Sequence, residues 1–175
     1  HFEVKLLKGH TFGQCGLYEP EKKLMFVGDQ LMTTIVPIVG TQETDLGMLK
    51  CYLDSLGDLK HNYRDCYFLP CHYGEIRNVE KEVNRIILGY LEKCEIMKHV
   101  LEEAGTALTT RDIGVRTYGR SQGPPDYAHF ASCTQIWAKT FSCMEYMMGE
   151  GFVERSERDG IIYWKAPSIH FENNR

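Results

Sequence analysis

The sequence has no long apolar run, no basic excess and no closely paired cysteines. Its longest apolar candidate, Leu31 to Gly40, is short and carries Thr33, Thr34 and Pro37. A membrane-spanning helix needs about 18 apolar residues, so no span is expected. The net charge is −4. Residues 1–77 and 78–105 lean acidic, and residues 106–175 carry acidic and basic side chains in equal number. No part has the basic surplus of a dedicated nucleic-acid binder. Seven scattered cysteines without a CxxC pair argue against a disulfide framework. They read as reduced thiols, mostly small core hydrophobes, in a cytoplasmic protein. Internal repeats, low-complexity segments and a secretion signal are also missing. The chain starts at His1 without a Met, which suggests a piece of something longer. What remains is the composition of an ordinary globular protein, 43% hydrophobic and 25% charged.

The chain divides near Asn78. Before it, Glu3 to Leu7 and Gln14 to Tyr18 read as strands. Leu24 to Val27 is a continuous apolar run, as in a strand buried on both faces. Thr44 and Asp45 are good N-cap residues for a helix marked by Leu46, Leu49, Leu53, Leu56 and Leu59. Cys66 to Leu69 is a further short strand. After Asn78, apolar residues from Val79 to Leu101 recur at helical spacing, and Ala104-Gly105 ends the helix. Thr109 or Thr110 caps a short helix that runs to about Tyr118. A third helix spans Tyr127 to Met148, with Trp137, Phe141, Met144, Met147 and Met148 expected as core. An Asp159-Gly160 turn closes a hairpin. Three helices and a hairpin in that order form a winged-helix pattern.

Chemically suggestive residues follow the strands of the first part. His10 follows Gly9, Asp29 follows Gly28, and His72 follows Pro70-Cys71. Imidazole and carboxylate are the usual ligands of Zn, Mn or Fe. A neighbouring glycine lets the backbone turn tightly beside such a ligand. Spacing alone leaves loop and capping roles open for all three.

Gly9-His10-Thr11-Phe12-Gly13, then Gly28-Asp29, then Leu69-Pro70-Cys71-His72-Tyr73-Gly74, with Tyr52-Leu53-Asp54-Ser55-Leu56 between the last two, resembles the second half of a metallo-β-lactamase-fold hydrolase. The family writes the three motifs as GHTxG, GD and PGHG. The following part resembles the C-terminal module of the subgroup holding glyoxalase-II-like thioesterases and a β-lactamase-like endoribonuclease. The resemblance implies an α/β fold. Residues 1–77 would be the second half of an αββα sandwich, residues 78–169 a mostly helical winged-helix domain, and residues 170–175 a tail. It implies two divalent metal ions, Zn first, with Mn or Fe as alternatives. His10 would bind one, His72 the other, and Asp29 would bridge them as the catalytic carboxylate. A metal-activated hydroxide would then hydrolyse an ester, a thioester or a phosphodiester, RNA included.

The sequence departs from the family in three places. No two histidines are separated by a single residue, so the HxHxDH motif of the first half is missing. The isolated chain is therefore expected to be inactive, with an incomplete site. Its missing half would be supplied elsewhere, or its open face would pair with a second copy. Cys71 stands where the family has glycine, and Tyr73 follows the histidine; both are candidates for substrate contact. Gln122 to Asp126 and the loop after Asp29 are candidates for lining the cleft. Arg111, Arg116, Arg120, Arg155 and Arg158 could touch a phosphate backbone, but Glu154, Glu157 and Asp159 offset them. The competing reading is a non-catalytic module that binds nucleic acid or protein and keeps a degraded hydrolase half.

Overall fold

The computed structural model describes residues 1–39, 47–119 and 127–167, the side chains of 127–132 excepted. Thr44, Asp45, Arg120, Gln122 to Asp126 and the expected tail thus lie outside the described residues.

Strands β1 (Glu3–Leu6), β2 (Cys15–Glu19) and β3 (Leu24–Gly28) form an antiparallel meander. Helix α1 (Met48–Asn62) then crosses over to β4 (Tyr67–Pro70), which runs parallel to β3. The sheet order is β1-β2-β3-β4. Its register separates two kinds of cross-strand row. Glu3, Tyr18, Met25 and Phe68 align across the sheet, and Met25 and Phe68 join the core that holds Tyr52, Leu56 and Leu59 of α1. The adjacent row is Val4, Leu17, Phe26 and Leu69. It points the other way and is entirely apolar, yet Val4 is 68%, Leu17 43% and Phe26 42% exposed. The Leu24–Val27 run is therefore buried on one face only. Its other face awaits a covering layer that the described residues do not supply.

Helix α1 begins at Met48 behind Gly47 in the left-handed region, with no side-chain cap. The long helix α2 (Val79–Ala104) stops at the glycine the sequence marks and starts at a cap the sequence reading does not name. The Asn78 side chain accepts from the Lys81 amide at 2.9 Å, and Gly105 closes the helix in the left-handed conformation. A short β5 (Leu108–Thr109), which no sequence pattern marks, leads into α3 (Thr110–Tyr118), capped by Thr109. Helix α4 (Tyr127–Gly149) and the hairpin β6 (Glu154–Arg158) and β7 (Ile161–Lys165) complete the chain. Asp159 and Gly160 both have positive φ in its turn, as a two-residue hairpin demands. The second sheet has the order β5-β7-β6. One buried apolar cluster runs from Leu7 through Tyr52 and Tyr90 to Trp164, joining the two parts of the chain. Among the described residues no helix is long and apolar enough to cross a membrane.

Candidate metal centre

The parallel pairing of β3 with β4 brings distant motifs together. Gly28 pairs with Pro70 after a register shift, and the Cys71 amide donates to the Gly28 carbonyl at 3.1 Å. Asp29 and His72 thus leave neighbouring strands at the same sheet edge, which is where α/β folds gather functional side chains. Gly28 has φ of 58°, and a Cβ there would press on Gln14, whose amide nitrogen donates to Val27 O at 3.0 Å. The turn that aims Asp29 therefore requires glycine twice over.

His10 reaches the same place from the β1–β2 loop. His10 Nε2 lies 3.6 Å from Asp29 Oδ2, and His72 Nε2 lies 3.6 Å from Asp29 Oδ1. Each imidazole thus faces a different oxygen of one carboxylate. These gaps are too long for hydrogen bonds. They suit an ion held at about 2.0–2.1 Å by each partner, since two such bonds at a roughly tetrahedral angle span about 3.4 Å. Asp29 Oδ1 is sealed from solvent and has no hydrogen-bond donor, although the side chain as a whole is 29% exposed. A buried carboxylate oxygen with nothing to accept is costly, and a cation beside it would remove that cost. Among the described residues, no three His, Cys, Asp or Glu side chains converge on a single ion. What converges instead is one imidazole on each oxygen of the Asp29 carboxylate.

His10 is oriented by its other ring nitrogen. Nδ1 lies 2.8 Å from the Ile38 carbonyl, which can only accept, so Nδ1 carries a proton and, in the neutral ring, Nε2 presents a lone pair toward Asp29. Gln30, fully buried, ties the surroundings together. It donates to Lys8 O at 3.2 Å and Ser55 Oγ at 3.0 Å, and its own carbonyl accepts from Tyr52 Oη at 2.8 Å. Tyr52 and Ser55 belong to the α1 motif visible in the sequence, whereas Gln30 lies outside every motif. Its only signal there is a lone polar residue between Asp29 and the apolar pair Leu31-Met32.

Cys71 and Tyr73 are exposed on the His72 loop. The Tyr73 ring lies 6.0 Å from that of His72, and its carbonyl accepts from Thr33 Oγ1 at 3.1 Å. The expected aromatic stripe of α4 divides. Met144 and Met147 are core. Trp137 and Phe141 are half-buried and line an open pocket of about 840 Å³ with Thr109, Arg111 and Ile161. None of the three candidate ligands lines that pocket.

This architecture is the metallo-β-lactamase fold in part. A metallo-β-lactamase family protein from Thermus thermophilus superposes with a TM-score of 0.76 at 22% identity, over 95% of this chain and 49% of its own. A β-lactamase domain protein from Burkholderia ambifaria superposes with a TM-score of 0.78 at 19% identity, over 95% of this chain and 48% of its own. The chain thus spans about half the length of these structures, and at such identities the likeness shows the fold alone. No protein-family model and no curated protein matches the chain.

Proposed function

We propose that this chain forms the second half of a metal-dependent hydrolase acting on an ester, thioester or phosphodiester. The observation that carries the reading is Asp29: one carboxylate, with one oxygen buried and unpaired, set between two imidazole nitrogens that approach its two oxygens separately. His10 and Asp29 Oδ2 would hold one divalent ion, and His72 and Asp29 Oδ1 the second, with Zn, Mn or Fe all compatible with these donors. Ions held there supply a water of lowered pKa and a positive charge for the oxygen that becomes anionic. The chain's own residues do the rest. The Ile38 carbonyl keeps the His10 lone pair on Nε2. Gly28 fixes the aim of Asp29. Cys71 and Tyr73 stand exposed at the rim, within reach of a substrate.

Two donors per ion are too few for a closed site, so the remaining ligands come from another part of the parent protein or another chain. The exposed Val4-Leu17-Phe26 row supports the same view, because the layer that would carry those ligands would also cover this face. The helical second part, which we read as a winged helix, would then wall the cleft.

The test is metal content and hydrolysis of thioester and RNA substrates by the full-length protein, wild type and Asp29→Ala. The variant should retain less metal and lose turnover by at least a hundredfold. Equal metal and equal turnover would overturn the reading and favour a non-catalytic module.

A further inference from the structure

The segment between Asp29 and residue 39 has no regular structure, yet much of it is buried, including Leu31, Met32, Pro37 and Val39. A buried irregular segment must satisfy its carbonyls from outside. Here side chains do so almost residue by residue. Arg85 Nη2 donates to Met32 O at 2.6 Å and to Ile35 O at 3.2 Å. Lys139 Nζ donates to Val36 O at 3.0 Å. Tyr90 Oη donates to Pro37 O at 2.6 Å. The next carbonyl, Ile38 O, is the one that accepts from His10 Nδ1. Arg85 and Tyr90 belong to α2 and Lys139 to α4, so the second part of the chain grips the segment beside the candidate centre.

The segment also meets each candidate ligand or its chain neighbour. It begins at Asp29, it holds His10 through Ile38, and Thr33 Oγ1 donates to Tyr73 O next to His72. We infer that Arg85, Tyr90 and Lys139 are positioning residues: by fixing residues 32–37 they place the Ile38 carbonyl that selects the His10 tautomer, so the helical part shapes the metal centre rather than merely covering it. This rests on the metal-site reading of His10 and adds a structural origin for its ligand geometry.

Supporting contacts show that the grip is specific. Arg85 Nε also donates to Glu82 Oε2 at 2.8 Å, and Glu82 is itself buried, so the guanidinium is held by a partner on its own helix while its fork reaches two carbonyls. Lys139 brings a partly buried ammonium to the Val36 carbonyl; burial lowers its pKa, and the bond offsets part of the cost of burying that charge. Tyr90 stacks edge-on against Tyr52 at 6.0 Å, and Tyr52 in turn donates to Gln30 O, so both ends of the segment hang on one aromatic pair.

The experiment compares full-length wild type with Tyr90→Phe, Lys139→Met and the double variant. Each keeps the apolar bulk and removes a donor, and far-UV circular dichroism verifies folding. Two readouts are taken. The first is the His10 ring tautomer in the metal-free protein at pH 8, from ¹⁵N–¹H correlation spectra, with the signal assigned by its loss in His10→Gln. The second is Zn(II) affinity by competition with a chromophoric chelator. The double variant should convert the single Nδ1–H form into a mixture and weaken Zn(II) binding by about tenfold, the usual scale for losing support behind a histidine ligand. Lys139→Arg, which keeps a donor, should restore most of both relative to Lys139→Met. An unchanged tautomer and unchanged Zn(II) affinity in a folded double variant would overturn the inference while leaving the metal centre standing. If wild type binds no Zn(II), the function proposed above fails, and the tautomer readout still decides the role of Tyr90 and Lys139.

Discussion

At Gly9 the backbone passes so close to α1 that a Cβ would lie 2.6 Å from Tyr52 Cβ and 2.7 Å from its Cα, and φ is 149°. Gly9→Ala should therefore destabilise the fold by about 2 kcal/mol or more, since neither backbone nor a buried tyrosine can yield; a urea unfolding curve measures this. Asp29 should behave in the opposite way. Its Oδ1 is sealed without a donor, so in the metal-free chain Asp29→Asn should raise stability by about 0.5–2 kcal/mol, the familiar exchange of function for stability. A thermal melt at pH 8 with chelator present checks it. At this scale the sequence was informative, because a glycine directly before a potential ligand marks a tight turn that aims the side chain. Their motifs single out His10, Asp29 and His72, and the structure brings the three side chains together. Gln30 was not identifiable, because the groups it serves come from separate segments of the chain.

The elements were legible wherever periodicity and caps agreed. The Gly105 stop, the cap at Thr109 (one of the two threonines expected) and the Asp159-Gly160 turn fall where local chemistry places them. The carbonyl clamp was not legible. Nothing in the sequence sets Arg85, Tyr90 or Lys139 apart from other helix residues, because the groups they bond are backbone oxygens that no side-chain pattern reveals. The buried tyrosines give this layer a signature in alkali. Burial pushes the Tyr52 and Tyr90 hydroxyls well above the usual tyrosine range. The folded state then keeps protons that the unfolded state releases from about pH 10 upward, so their contribution is intact below about pH 10 and is lost as pH climbs further. Lys139 acts the other way: burial lowers its pKa, the unfolded chain binds its proton more readily, and stability rises as pH climbs toward the ordinary lysine value of 10.5. Urea midpoints taken from about pH 8 to 12 should pass through a shallow maximum near pH 10, and Tyr90→Phe should flatten the descending side.

For the whole molecule the open sheet face is decisive. Val4, Leu17 and Phe26 form one continuous apolar row at 42–68% exposure, and contiguous exposed apolar surface favours association. The isolated 175-residue chain should self-associate at micromolar concentration, and Val4→Lys with Leu17→Lys should shift it toward monomer in sedimentation velocity. A monodisperse wild-type monomer at high concentration would argue against a second layer on this face. The division of the chain at Asn78 follows a change of sequence character, while the buried cluster runs across that point without a break. The parallel β3–β4 pairing carries a further consequence, for the order of events in folding. The β1-β2-β3 meander can close through local turns, but His72 meets Asp29 only after the crossover through α1 has brought β4 alongside β3. Non-local pairings of this kind are slow to form. His72 therefore joins Asp29 late, after the meander that carries both His10 and Asp29 has closed, so the two flanks of the carboxylate are built one after the other.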